Sequence, residues 1–134
     1  MREANHFFSD PNHQQRLASD PVASVWVSAS AGTGKTKVLT DRVLSLLLTG
    51  IKPQRILCLT FTRAAAAEME FRISDRLGQW TMADDGVLRE ELGNLLGISV
   101  QDNLVQRARY LFAHVLDTPG GMNIQTIYPI LLII

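Results

Sequence analysis

Apolar residues along this chain change their spacing several times, and each spacing predicts an element. Residues 24–29, "SVWVSA", alternate Val25 and Val27 with small or amphipathic neighbours behind Pro21, the period-two pattern of a short buried strand. After a glycine-rich turn, Leu39, Val43, Leu46 and Leu47 fall on one face of a helix, which Gly50 is placed to end as a left-handed cap. "KPQRILCLTF" predicts a second strand behind a proline. Ala66, Met69, Ile73 and Leu77 then share a helical face. The order is that of a parallel α/β unit.

Beyond Gly78 the pattern turns helical. Leu88, Leu92, Leu95 and Leu96 form one stripe, and Leu104, Ala108, Leu111, Phe112 and Val115 form the next. Ser99 and Asp102 have the spacing of a capping box before the second helix. "TPGG" at 118–121 reads as a turn and "MNIQTI" after it as a strand. The ending, "IYPILLII", is apolar except for Tyr128 and carries Pro129 in its middle.

Composition narrows the function classes. The 134 residues fit one domain, and 46% hydrophobic with 19% charged residues places the chain among globular proteins. Thirteen basic residues balance thirteen acidic ones, so no global field draws the protein to nucleic acid or an anionic membrane, and any such contact must be local. The single cysteine, Cys58, sits in an apolar run and reads as a structural thiol, which excludes disulfides. The first thirty residues have no signal-peptide pattern and no run reaches the length of a membrane span, so a cytoplasmic location is the expectation. His6, His13 and His114 lack metal-ligand spacing, and the pairs Asp84–Asp85 and Glu90–Glu91 read as solvated faces and helix-start charges.

The chemistry lies in the turn. "ASAGTGKT", from Ala29 through Ser30, Ala31, Gly32, Thr33, Gly34 and Lys35 to Thr36, has phosphate-loop spacing with alanine replacing the first glycine. Its context, a predicted strand before and a helix after, is the one the motif requires. Glycines let successive N–H groups converge on phosphate oxygens, and the helix start adds its positive dipole end. Lys35 then reaches the β- and γ-phosphates of ATP and the Thr36 hydroxyl coordinates Mg²⁺, which makes these two the candidate catalytic residues and Thr36 the candidate metal ligand.

With these residues in place, the chain resembles the UvrD/Rep-like helicases of superfamily 1, and within them the AddA branch. "NHQQRLASDP" is similar to the Q motif, "SASAGTGKT" to motif I and "ILCLTFTRAAAAEMEFRI" to motif Ia, in the family's order over roughly residues 11–127. The resemblance implies an α/β phosphate-loop NTPase core, a parallel sheet flanked by helices, with a helical insertion over about 79–117. It implies that Gln15 reads the adenine edge, and that Phe61, Thr62 and Arg63 touch single-stranded DNA. Arg63 and Ala64 stand where the wider family often has Asn and Lys, which favours the AddA branch. Read from the residues alone, Phe61 is a core aromatic and "AAAA" a helix–sheet contact. The implied function is the ATP-binding amino-terminal part of a DNA helicase in double-strand-break repair, with an AddB-like nuclease as partner and no membrane.

The likeness ends at Ile127, because Tyr128 and Pro129 stand where the family has His and a small residue. No apolar strand ending in Asp-Glu follows, and "LFAHVLD" up to Asp117 has helical periodicity. The expectation is an incomplete core with a divergent tail at 128–134, left by a frameshift or premature stop and inactive in hydrolysis alone. The competing reading is a non-catalytic nucleotide-binding remnant.

Overall fold

A computed structural model describes residues 11–27 and 34–127. Within them, the elements run α1 (Pro11–Ser19), α2 (Lys35–Leu48), a 3-10 turn (Pro53–Arg55), β1 (Leu57–Thr60), α3 (Arg63–Met82), α4 (Asp85–Leu96), α5 (Asp102–Leu116) and β2 (Asn123–Thr126). The fold is mixed α/β. β1 and β2 pair in parallel, with Leu57 opposite Asn123 and Thr60 opposite Thr126, and α3 to α5 form the crossover between them.

α2 to α5 form where their apolar periods predict, but the buried face of α2 is turned from the expected one: Leu39 is exposed, and Val38, Leu44 and Leu48 join Val43 and Leu47 inside. Met69, Ile73 and Leu77 of α3 are buried, joined one turn later by Trp80, and Leu88, Leu92 and Leu95 of α4 meet them in the same core. From α5 come Val105, Ala108, Leu111 and Val115, and from α2 Val43, Leu44, Leu47 and Leu48. The end of α2 is a full Schellman motif: Gly50 at φ 95° donates to the Leu47 carbonyl, and Ile51 donates to that of Leu46. α3 starts where Thr62 accepts a hydrogen bond from the Ala65 N–H at 3.1 Å, the N-cap its sequence position allows.

Two local expectations are corrected. Residues 24–27 form no strand, and Val25, Trp26 and Val27 are exposed, Trp26 by 91%. Alternation supplies a face, but a strand also needs a ladder partner, and the only ladder among the described residues joins β1 to β2. The Ser99–Asp102 box does not form either. α5 begins at Asp102 with Gln101 as its N-cap and no side-chain cap, so Ser99 lies too early, and Asp102 instead pairs with Arg89.

Three arginines hold connections rather than surface charges. Arg109 donates to the carbonyls of Trp80, Thr81 and Ala83 at the end of α3, and Arg107 to that of Leu48 at the end of α2. Arg42 clamps the link after α1. No helix among the described residues is long and apolar enough to cross a membrane.

Candidate functional site

The start of α2 is built around Gly34. It has φ 90° and ψ 16°, a left-handed conformation that side-chain-bearing residues rarely take, and it caps α2 with no side-chain hydrogen bond. The first N–H groups of an α-helix have no partner within the helix, so this end offers donors and a positive dipole end. Lys35, exposed, and Thr36, half-buried, are the first two helical residues. These features fit a bound phosphate group and its Mg²⁺. Ala29, Ser30, Ala31, Gly32 and Thr33 lie outside the described residues.

Gln15 comes to this end from α1. Its Nε2 lies 4.0 Å from where a Cβ on Gly34 would stand, and its Oε1 accepts a hydrogen bond from Lys37 Nζ at 3.3 Å. α1 is held in place by Arg42 of α2, whose guanidinium donates to the carbonyls of Ala18 and Asp20, at 3.3 and 2.7 Å, and of Ala23. One side chain thus ties the helix after the loop to the segment before it.

Beside Gln15 opens a cleft of about 430 Å³, bordered by Arg16, Lys37, Asp41, Arg76 and Glu91. Lys37 donates to Asp41 Oδ2 at 2.6 Å. Arg76 lies 3.9 Å from Asp41 Oδ1 and pairs with Glu91, which also accepts the Trp80 indole N–H at 2.8 Å. Glu91 is therefore half-buried and bonded, which corrects its reading as part of a solvated face. Its partners lie on another helix, and no local spacing reveals them. The Lys37–Asp41 pair, in contrast, lies within α2 at i, i+4, a spacing that could have shown it.

The second group of site residues sits where β1 passes into α3. Phe61 is 81% exposed, so it is not a core aromatic. Thr62 uses its hydroxyl to cap α3, and Arg63 is exposed in the first turn, bordering a shallow depression with Ala66, Gln125 and Thr126. The carboxyl ends of both strands open here, the side of a parallel sheet where ligands bind. No hydrogen bond or ion pair among the described residues links this corner to Gln15 or to Gly34–Thr36. Cys58, in the middle of β1, is half-buried, and burial pushes its thiol pKa up.

Comparison with known proteins gives a consistent set. The family model described as the UvrD/REP helicase N-terminal domain matches residues 10–127. The chain is 45% identical over 117 residues to the AddA ATP-dependent helicase/nuclease protein of Lactobacillus johnsonii, covering 84% of this chain and 10% of that protein. It is 34% identical over 117 residues to the protein of the same name from Lactobacillus gasseri, with the same coverage of 84% and 10%. To that of Lactobacillus helveticus it is 44% identical over 86 residues, 61% of this chain and 7% of that one. This chain therefore spans a tenth or less of the length of these relatives. No solved structure matches it.

Proposed function

The chain belongs to the UvrD/REP helicase N-terminal family, and from that membership we propose that it is the ATP-binding amino-terminal part of an ATP-dependent DNA helicase of the AddA type, acting in double-strand-break repair. Residues 29–36 form the phosphate cradle, and Lys35 places its ammonium against the terminal phosphates. The Thr36 hydroxyl holds Mg²⁺, and Gln15 meets the adenine edge. When bound, Mg-ATP supplies the phosphoryl-transfer chemistry that such helicases couple to movement along a strand.

The observation that carries this reading is the pairing of the glycine N-cap of α2, Gly34 at φ 90°, with the Gln15 amide 4.0 Å from its Cβ position. A loop that merely turned the chain would need no side-chain amide beside the helix start. Phe61, Thr62 and Arg63 form the single-stranded-DNA contact, an aromatic face, a hydroxyl and a cation at one corner. Residues 79–117 are the helical insertion, and a nuclease of the AddB type is the partner of the longer protein.

Nitrogen–proton correlation spectra of the chain titrated with Mg-ATP test the assignment. The largest shifts are expected at the Gly34, Lys35 and Thr36 amides and at the Gln15 side chain. Saturable shifts confined to the β1–α3 corner or to α5 would refute it.

A further inference from the structure

A glutamine side chain can present either a donor or an acceptor to a base, and which it presents depends on how the amide is turned. Gln15 is not free to turn. Its Oε1 accepts from Lys37 Nζ at 3.3 Å, and an ammonium has only donors, so the flipped amide would set N–H against N–H. Nε2 is thereby left on the Gly34 side.

Lys37 alone could not fix this, because its side chain is 52% exposed and its stem is flexible. Asp41 fixes it. The Asp41 side chain is only 8% exposed and holds Lys37 Nζ through Oδ2 at 2.6 Å. Its Oδ1 is buried without a hydrogen-bond partner among the described residues, 3.9 Å from Arg76 Nη1, and Arg76 is anchored in turn to Glu91. The carboxylate is thus held by α2 and α3 in one place, on the same helix as the end of the proposed phosphate cradle at Thr36.

We propose that Asp41 is a positioning residue which, through Lys37, locks the Gln15 amide in one orientation and so sets the base selectivity of the nucleotide site. The inference rests on the nucleotide reading above. Adenine offers a ring-nitrogen acceptor beside an amino donor, which matches an amide presenting Nε2–H and the second lone pair of Oε1. On the corresponding Watson–Crick edge guanine offers the reverse pattern, a ring N–H donor beside an oxygen acceptor, which only the flipped amide that Lys37 blocks would match.

Calorimetric affinities for Mg-ATP, Mg-GTP and Mg-tripolyphosphate, measured on the full chain, on Asp41→Asn and on Lys37→Gln, test the proposal. The wild-type chain is expected to favour ATP over GTP by about tenfold or more, within the range of one bidentate base contact, and both variants to lose most of that ratio. Tripolyphosphate affinity of Asp41→Asn should stay within about threefold of wild type, since its contacts are with the cradle. In nucleotide-free protein, the two Gln15 side-chain N–H resonances should move together with Asp41→Asn.

An ATP preference kept intact in both variants overturns the proposal, as does an equal loss for all three ligands. Should Asp41→Asn fail to fold, Lys37→Gln at its half-exposed position decides alone. Wild-type binding of tripolyphosphate, ATP and GTP with equal affinity leaves the nucleotide reading standing and refutes the inference. Binding of none of the three refutes both.

Discussion

Gln15 of α1 and Gly34 at the head of α2 stand so close that a Cβ at position 34 would lie 4.0 Å from Gln15 Nε2. That spacing is ordinary van der Waals contact, so an alanine there meets no clash with Gln15. Its cost is the backbone, held at φ 90°. Gly50, at φ 95°, carries the same strain at the far end of the same helix. Alanine at either position should lower stability by roughly 1 kcal/mol or more in thermal or urea unfolding. Only Gly34→Ala should also weaken Mg-ATP binding. Equal nucleotide affinities for the two variants would separate Gly34 from the site.

Arg42 donates to three carbonyls of the segment that follows Gln15, at Ala18, Asp20 and Ala23. Replacing it with alanine leaves those acceptors and frees the segment, at a cost of about 1.5–3 kcal/mol for charge-assisted hydrogen bonds. Amide exchange should therefore accelerate over residues 15–23 well before it does in α3 or α5. Uniform acceleration across all helices would show that Arg42 acts on the whole fold.

Trp80 is fully buried between α3 and α4 and donates to Glu91. Trp80→Ala should cost about 3–5 kcal/mol through the cavity and the lost contacts, a large share of the roughly 5–15 kcal/mol that holds a domain together. Urea unfolding measures this directly. Trp80→Phe keeps most of the packing and leaves Glu91 to Arg76, so it should cost less than half as much.

Burial raises the Cys58 pKa, and the sign follows from the charged form being the one that burial disfavours. The thiolate fraction at neutral pH is therefore below that of a free cysteine, and alkylation by iodoacetamide should be slow in the folded chain. It should rise toward the free-thiol rate in denaturant and, in the folded chain, only at pH above the ordinary cysteine range. Folded-state alkylation at the free-thiol rate at pH 7 would contradict the placement of Cys58.

What the sequence disclosed and what it hid divide by the range of the interactions. Met69, Ile73 and Leu77 of α3, and Ala108, Leu111 and Val115 of α5, were legible because a helix declares its buried face within a few turns. The parallel strand at 123–126 was legible from alternation and its glycine turn. Alternation misled at Val25 and Val27, where a strand depends on a partner that local pattern does not encode. The Gln15–Lys37 bond and the contacts of Arg76 and Trp80 with Glu91 cross between helices, so no single spacing announces them. Lys35 and Thr36 were nameable as candidates from phosphate-loop spacing and Gln15 from the family resemblance, but the closeness of Gln15 to Gly34 had to come from the fold.

The central claim is that the head of α2 holds the phosphates of a nucleotide, and calorimetry of Mg-ATP on the wild-type chain and on Lys35→Ala tests it most directly. Lys35 is exposed at the first helical position, so its loss should leave folding intact, as a matched melting temperature will verify. Removing one charge-assisted contact should cost about 1.5–3 kcal/mol, a tenfold to roughly hundredfold fall in affinity. Mg-ATP binding that is unchanged in folded Lys35→Ala would contradict the account.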